Sequence, residues 1–128
     1  MNPDLVLIEH AGPAAVLTLN RPEKRNALSR ALLNAISDRL ATAVIDPSVR
    51  LIVLAAHGPV FCAGLDLDEL SEMMNHPDAR DRVHYDARRL AAVYRELATC
   101  PKPTVAAVSG PAVAGGAGLV TACDLAIA

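Results

Sequence analysis

The chain has 128 residues and a net charge of −2, with 52% of its residues hydrophobic and 20% charged. That balance suits one globular domain, which at this length buries roughly two-thirds of the surface of the unfolded chain, and it excludes a disordered segment. The slight acidity and an aromatic content of 2% exclude a nucleic-acid surface, which needs a basic face or a stack of rings.

Taken in chain order, the apolar runs Leu5 to Glu9 and Ala15 to Leu19 flank Gly12-Pro13 and predict an opening β-hairpin. Asn20 to Asn26 is a polar loop carrying Arg21, Lys24 and Arg25, a local positive cluster. A helix is predicted from Ser29 to Ile45, with Leu32, Leu33, Ile36, Leu40, Ala43 and Val44 on one face. Asp46-Pro47 ends it, because a residue before proline is pushed out of the helical region. Leu51 to Ala56 is continuously apolar and predicts a strand covered on both faces. A short helix from Leu67 to Met74 and a longer one from Ala79 to Ala98 follow, the second with Val83, Ala87, Leu90, Tyr94 and Leu97 on one face. Thr104 to Val108 predicts a second buried strand, Gly115 to Ala122 a helix, and Asp124 to Ala128 the start of a further strand. Strands alternating with helices predict an α/β layout with crossover helices. Because the chain stops within a strand, a fragment of a longer domain is expected.

Cys62, Cys100 and Cys123 are an odd number without a CxxC spacing, so neither a disulfide framework nor a zinc site is expected, and a reducing, cytoplasmic setting is. No His pair has metal-ligand spacing, and His57 and His76 read as loop residues. Met1 to Asp4 has an acid where a signal peptide carries basic charge. Pro103 to Cys123 is uncharged and long enough to span a bilayer. Its prolines, glycines and small side chains favour a buried strand, turn and helix instead, so no membrane partner is expected.

Two glycine-punctuated turns carry the chemistry. One is Phe61-Cys62-Ala63-Gly64-Leu65-Asp66; the other runs from Ser109-Gly110-Pro111 through Gly115-Gly116-Ala117-Gly118. Each follows an apolar strand and leads into a helix. Glycine lets a backbone approach closely and expose bare N–H groups, and two such turns together can hold one oxyanion. Either turn can also serve only tight strand-to-helix packing. Neither the GxGxxG nor the Gly-Lys-Ser/Thr phosphate loop occurs, and Ser109 is not in a GxSxG elbow.

Asn20-Arg21-Pro22 with Asn26-Ala27-Leu28, the Phe61 to Asp66 turn, the Gly110 to Gly118 turn and Cys123 to Ala128 together resemble the crotonase superfamily, the enoyl-CoA hydratase/isomerase family. The resemblance runs through the whole chain, which corresponds to about the N-terminal half of a family member. It implies a spiral of ββα units incomplete at the C-terminus. It implies an acyl-CoA thioester as substrate, with coenzyme A part of that substrate and no cofactor bound permanently. It also implies trimers or hexamers built through C-terminal helices beyond Ala128, so the isolated chain is expected to turn over little or nothing. The implied oxyanion donors are the backbone N–H groups of Leu65 and Gly115. Ala63 and Leu67 would meet the adenine through backbone groups. Lys24 or Arg25 would lie near the phosphates, with a merely solvated loop the competing reading. The family's hydratases carry a glutamate where this chain has Gly118 and a second one beyond Ala128. Hydration, isomerisation, dehalogenase- or hydrolase-like chemistry, and a non-catalytic truncated member all stay open. Among nearby carboxylates, Asp66 reads as a helix cap, Asp68 and Glu69 flank the first turn, and Asp124 reads as fixing a strand end. Cys62 reads as a small buried thiol.

Overall fold

A computed structural model describes residues 4–128. Five strands, β1 (Val6–Ala11), β2 (Ala14–Leu19), β3 (Leu51–Ala56), β4 (Thr104–Ala107) and β5 (Leu125–Ile127), form one sheet in chain order. The first pair is the antiparallel hairpin expected around Gly12, which takes φ +57°. The remaining neighbours are parallel. Four helices connect them: α1 (Arg30–Ile45), α2 (Leu67–Met74), α3 (Ala79–Ala98) and α4 (Gly115–Ala122).

Local chemistry sets the boundaries. Ser29 precedes α1 and its hydroxyl accepts from the Leu32 N–H at 3.1 Å, satisfying one of the donors that a helix start leaves open. Asp66 does the same for α2, accepting from the Asp68 and Glu69 N–H groups at 3.0 and 3.1 Å. At the far edge, an Asp124 carboxylate oxygen accepts from the Thr104 N–H at 2.9 Å and fixes the start of β5 against β4. These are the roles the residue types suggested for Asp66 and Asp124.

Two expectations are corrected. The parallel strands are not covered equally on both faces. In β3, Ile52 and Leu54 are buried while Leu51 and Val53 are only half-buried, and β4 alternates in the same way. The strand order explains this. Each crossover steps to the next neighbour in the same direction, so connections of one hand put every helix on one face. Covering both faces requires the strand order to reverse. The opposite face carries Val16, Val53, Val105 and Leu125 in one row across the sheet.

The second correction concerns α3. Val83 and Ala87 are exposed, whereas Leu97 is buried as expected and Val93 is buried beside it. A helix of 20 residues extends about 30 Å, whereas a strand of six covers about 20 Å. Only the C-terminal half of α3 therefore lies over the core.

That core joins Leu17 and Leu19 of β2, Leu32 and Ile36 of α1, Ile52 and Leu54 of β3, Phe61, Leu97 and Leu119. Leu54 lies at the centre of the sheet and is 1% exposed. Leu54→Ala is expected to lower the free energy of unfolding by about 3 kcal/mol, read from urea denaturation; a loss well under 1 kcal/mol would place Leu54 outside the cooperative core.

Candidate functional site

The loop before α1, the turn after β3 and the turn after β4 meet at one end of the sheet. Arg25 and Asn26 both take φ +53°, the left-handed region that asparagine tolerates better than most residues. This bend buries Asn26 completely. Its side-chain oxygen accepts from the Arg21 N–H at 2.8 Å, and its amide donates to the carbonyls of His57 and Val60 at 2.9 and 3.0 Å. One asparagine thus ties the loop to the segment leaving β3. The Ala63 N–H donates to the Arg25 carbonyl at 3.0 Å, and the Leu28 N–H to the Gly64 carbonyl at 2.7 Å.

Leu28 completes this pairing by accepting from the Asp66 N–H at 3.2 Å. The bridge uses the carbonyl before Leu65 and the N–H after it, so the Leu65 N–H faces the other way. Gly64 permits the turn, with φ +94°. A Cβ on Gly64 would also stand 3.1 Å from the Ala114 Cβ and 3.3 Å from the Gly115 nitrogen, which shows how closely the two turns approach.

The second turn pairs with the first through Cys62. Its N–H donates to the Pro111 carbonyl at 3.3 Å, and its carbonyl accepts from the Val113 N–H at 3.1 Å. Gly116 lies against Cys62 so tightly that a Cβ would overlap the Cys62 carbonyl oxygen. Ala114 then takes φ +50° and ψ −120°, a conformation that costs a non-glycine residue about 1–3 kcal/mol. Gly115 follows as the first residue of α4. Among the described residues, neither the Leu65 N–H nor the Gly115 N–H has a hydrogen-bond acceptor.

Leu65 and Gly115 both line a cavity of about 680 Å³. Its lining brings together every residue singled out for binding: Leu65, Gly115, Lys24, Arg25, Ala63 and Leu67. Lys24 and Arg25 are exposed at its edge. Arg21 departs from the expected positive cluster. Its guanidinium points inward, 2.7 Å from the Asp66 carboxylate and 2.9 Å from the Ala27 carbonyl. The carboxylates beside the first turn are likewise engaged. Asp68 lies 3.5 Å from Lys24 Nζ, and Glu69 accepts from the Arg30 N–H at 3.1 Å. Burial pushes the Cys62 thiol pKa up, and its S–H donates to the Asn26 carbonyl at 3.1 Å, as suits a packed thiol. Gly118 lies beneath the ring of Tyr94, whose hydroxyl donates to the Gly115 carbonyl at 2.8 Å. The sequence placed Tyr94 on the apolar face of α3, at the end of the stretch from Leu70 expected to shape an acyl pocket. Its closeness to the second turn has no signal in local spacing, because 21 residues separate it from Gly115.

Burial alone would raise the Asp66 pKa. The Glu69 N–H, the Arg21 guanidinium and the Asp68 N–H together hold it below the ordinary carboxylate value. A folded-state pKa below that of the unfolded chain stabilises the protein fully above the unfolded value, and that contribution is lost as pH falls through the folded one. Stability is therefore expected to decline as the pH drops below about 4. Asp66→Asn should remove part of that decline and cost about 3 kcal/mol at neutral pH. Urea denaturation from pH 2 to pH 7 tests this, and a variant with the wild-type pH profile would contradict the assignment.

Comparison with known proteins adds a separate line of observation. Residues 9–128 match the enoyl-CoA hydratase/isomerase family model. The chain is 38% identical over 124 residues to enoyl-CoA hydratase domain-containing protein 3, mitochondrial, of Danio rerio, covering 97% of this chain and 42% of that protein. It is 40% identical over 124 residues to 4-chlorobenzoyl coenzyme A dehalogenase-2 of an Arthrobacter species, covering 95% and 44%. The crystal structure of an enoyl-CoA hydratase of Mycobacterium smegmatis aligns with a TM-score of 0.86 at 41% identity, over 95% of this chain and 46% of that one. The chain thus spans less than half the length of these relatives. With the match running through nearly the whole chain and the fold agreeing, this chain belongs to the enoyl-CoA hydratase/isomerase family and has the α/β architecture of the crotonases.

Proposed function

We propose that the chain binds an acyl-CoA thioester and polarises its carbonyl between the backbone N–H groups of Leu65 and Gly115. One observation supports the reading: two residues whose N–H groups lack a protein acceptor, on turns in direct contact, line one cavity edged by Lys24 and Arg25. Gly115 is the first residue of α4, where the helix dipole and unpaired N–H groups favour negative charge. A thioester carbonyl gains such charge when its α-carbon loses a proton or when a nucleophile adds to the conjugated acyl group. Donors already in place cost no reorganisation as the charge develops, and losing one lowers the rate by about two to three orders of magnitude.

In this reading Lys24 and Arg25 attract the phosphates of coenzyme A. The Ala63 carbonyl, whose N–H is already donated to Arg25, and the Leu67 N–H meet the adenine. No cofactor beyond coenzyme A is required for carbonyl polarisation. The reaction belongs to the enolate or oxyanion class. Gly118 has no side chain, which supports thioester chemistry other than two-carboxylate hydration from this position. The similarity to a protein named as a 4-chlorobenzoyl coenzyme A dehalogenase supports the same second reading. The acyl pocket would be shaped by residues around Leu70 to Tyr94, and in a trimer or hexamer of the family type it would be completed, along with the remaining catalytic groups, by chain beyond this segment.

Titration with cinnamoyl-CoA, a conjugated thioester, tests the proposal. A polarised carbonyl moves its near-ultraviolet absorption to longer wavelength, and the wild-type chain is expected to produce this shift saturably while coenzyme A competes. Gly115→Pro removes the donor N–H at a first helical position, where proline is tolerated. It should abolish the shift and leave coenzyme A affinity intact. Binding of cinnamoyl-CoA without any shift would overturn the oxyanion assignment. Replacing Lys24 and Arg25 together by alanine is expected to raise the Kd for coenzyme A about tenfold at low salt and to flatten its salt dependence; an unchanged Kd would place the phosphates elsewhere.

A further inference from the structure

Tyr94 enters the binding scheme above only as the end of the acyl-pocket stretch, yet it touches the second donor turn twice. Its hydroxyl donates to the Gly115 carbonyl at 2.8 Å, and its ring covers Gly118 so closely that a Cβ there would overlap the phenol. A Cβ on Gly115 would stand 3.4 Å from the same hydroxyl. The phenol thus bears on the outer surface of the first turn of α4, across from the contact that Gly116 makes with Cys62. Burial, with the nearby Cys62 adding to it, raises the Tyr94 pKa, so the phenol stays protonated and able to donate.

This turn needs an external strut. No side chain caps α4, and Ala114 is held at φ +50° immediately before the donor. A residue in so sparsely populated a conformation persists only where its surroundings over-determine it. Release at Ala114 would rotate the peptide that carries the Gly115 N–H. Two contacts oppose that rotation: Gly116 on Cys62 from one side, and Tyr94 on Gly115 and Gly118 from the other.

Resting on the function proposed above, we propose that Tyr94 is a positioning residue, whose phenol, seated on Gly118 and bonded to the Gly115 carbonyl, holds the Gly115 N–H toward the cavity. Gly118 and Tyr94 then form one unit. The missing side chain at 118 is what admits the phenol, and any side chain introduced there displaces it.

Tyr94→Phe keeps the ring and deletes the hydrogen bond, whereas Gly118→Ala pushes the phenol away. Each is expected to weaken cinnamoyl-CoA binding about fivefold, the worth of one ordinary hydrogen bond. Each should also reduce the wavelength shift of the bound thioester while the Kd for coenzyme A alone stays constant. The double variant should be no worse than either single one, because both remove the same contact. A merely structural role would alter melting behaviour and coenzyme A binding without changing the spectrum of bound cinnamoyl-CoA. A full wild-type shift in Tyr94→Phe, or single effects that multiply in the double variant, would overturn the proposal. If the wild-type protein itself gives no shift, the Leu65 and Gly115 reading fails, and amide hydrogen exchange decides the role of Tyr94 in the free protein. The Gly116 and Gly118 N–H groups donate to the carbonyls of Val113 and Ala114, and Tyr94→Phe should speed their exchange about fivefold. Unchanged exchange would show that Tyr94 braces nothing.

Discussion

Where the two glycine turns touch, there is no space for a side chain. Gly116 lies on the Cys62 carbonyl, and Gly64 faces Ala114 and the Gly115 nitrogen. The remaining geometry of the site depends on this contact. It brings the segments after β3 and β4 within backbone hydrogen-bonding reach, so that Cys62 pairs with Pro111 and Val113. It leaves the N–H groups of Leu65 and Gly115 outside that pairing. A donor that is part of the backbone has no rotamers to lose, so its position is as fixed as the turn that carries it. The strained dihedral at Ala114 belongs to the same constraint, since the chain must turn abruptly from the bridge with Cys62 into α4.

Electrostatics support the first turn from behind. Arg21 and Asp66 meet at 2.7 Å with side chains 18% and 6% exposed, and the same carboxylate caps α2. A charge this deep is tolerated because its lone pairs are occupied by a guanidinium and two backbone N–H groups. The pairing also sorts the basic residues of the loop. Arg21 becomes part of the scaffold, while Lys24 and Arg25 stay at the cavity edge. Residue type alone makes no such distinction, because all three are cationic and lie within five positions of one another.

The sheet has a consequence of its own. Successive parallel strands added in one direction keep every helix on one face, and the donor turns then fall together at the C-terminal ends of β3 and β4. Open α/β sheets ordinarily place a site where the strand order reverses, but there is no reversal among the described strands. The cavity forms instead between adjacent crossovers and the loop before α1. Tyr94 reaches the second glycine turn because α3 is the longest of these crossover helices and packs against α4.

Much of this was legible in the linear chain. Alternating apolar runs and helical spacing located all five strands and four helices, since burial of one face imposes a period that sequence records directly. Asp66 announced its capping role and Asp124 its place at a strand end through residue type, and the glycine clusters announced close backbone approach; the Ser29 cap of α1 emerged only in the structure. What the tertiary structure alone decided lies in relations between distant segments. It exposed the first half of α3, because helix length outruns the sheet. It left one sheet face half-covered, because the direction of each crossover is not written in any local period. It turned Arg21 inward to Asp66, 45 positions away by residue number, and set the Tyr94 phenol on Gly118. Such contacts depend on where two elements pack, and no single stretch of sequence contains both partners.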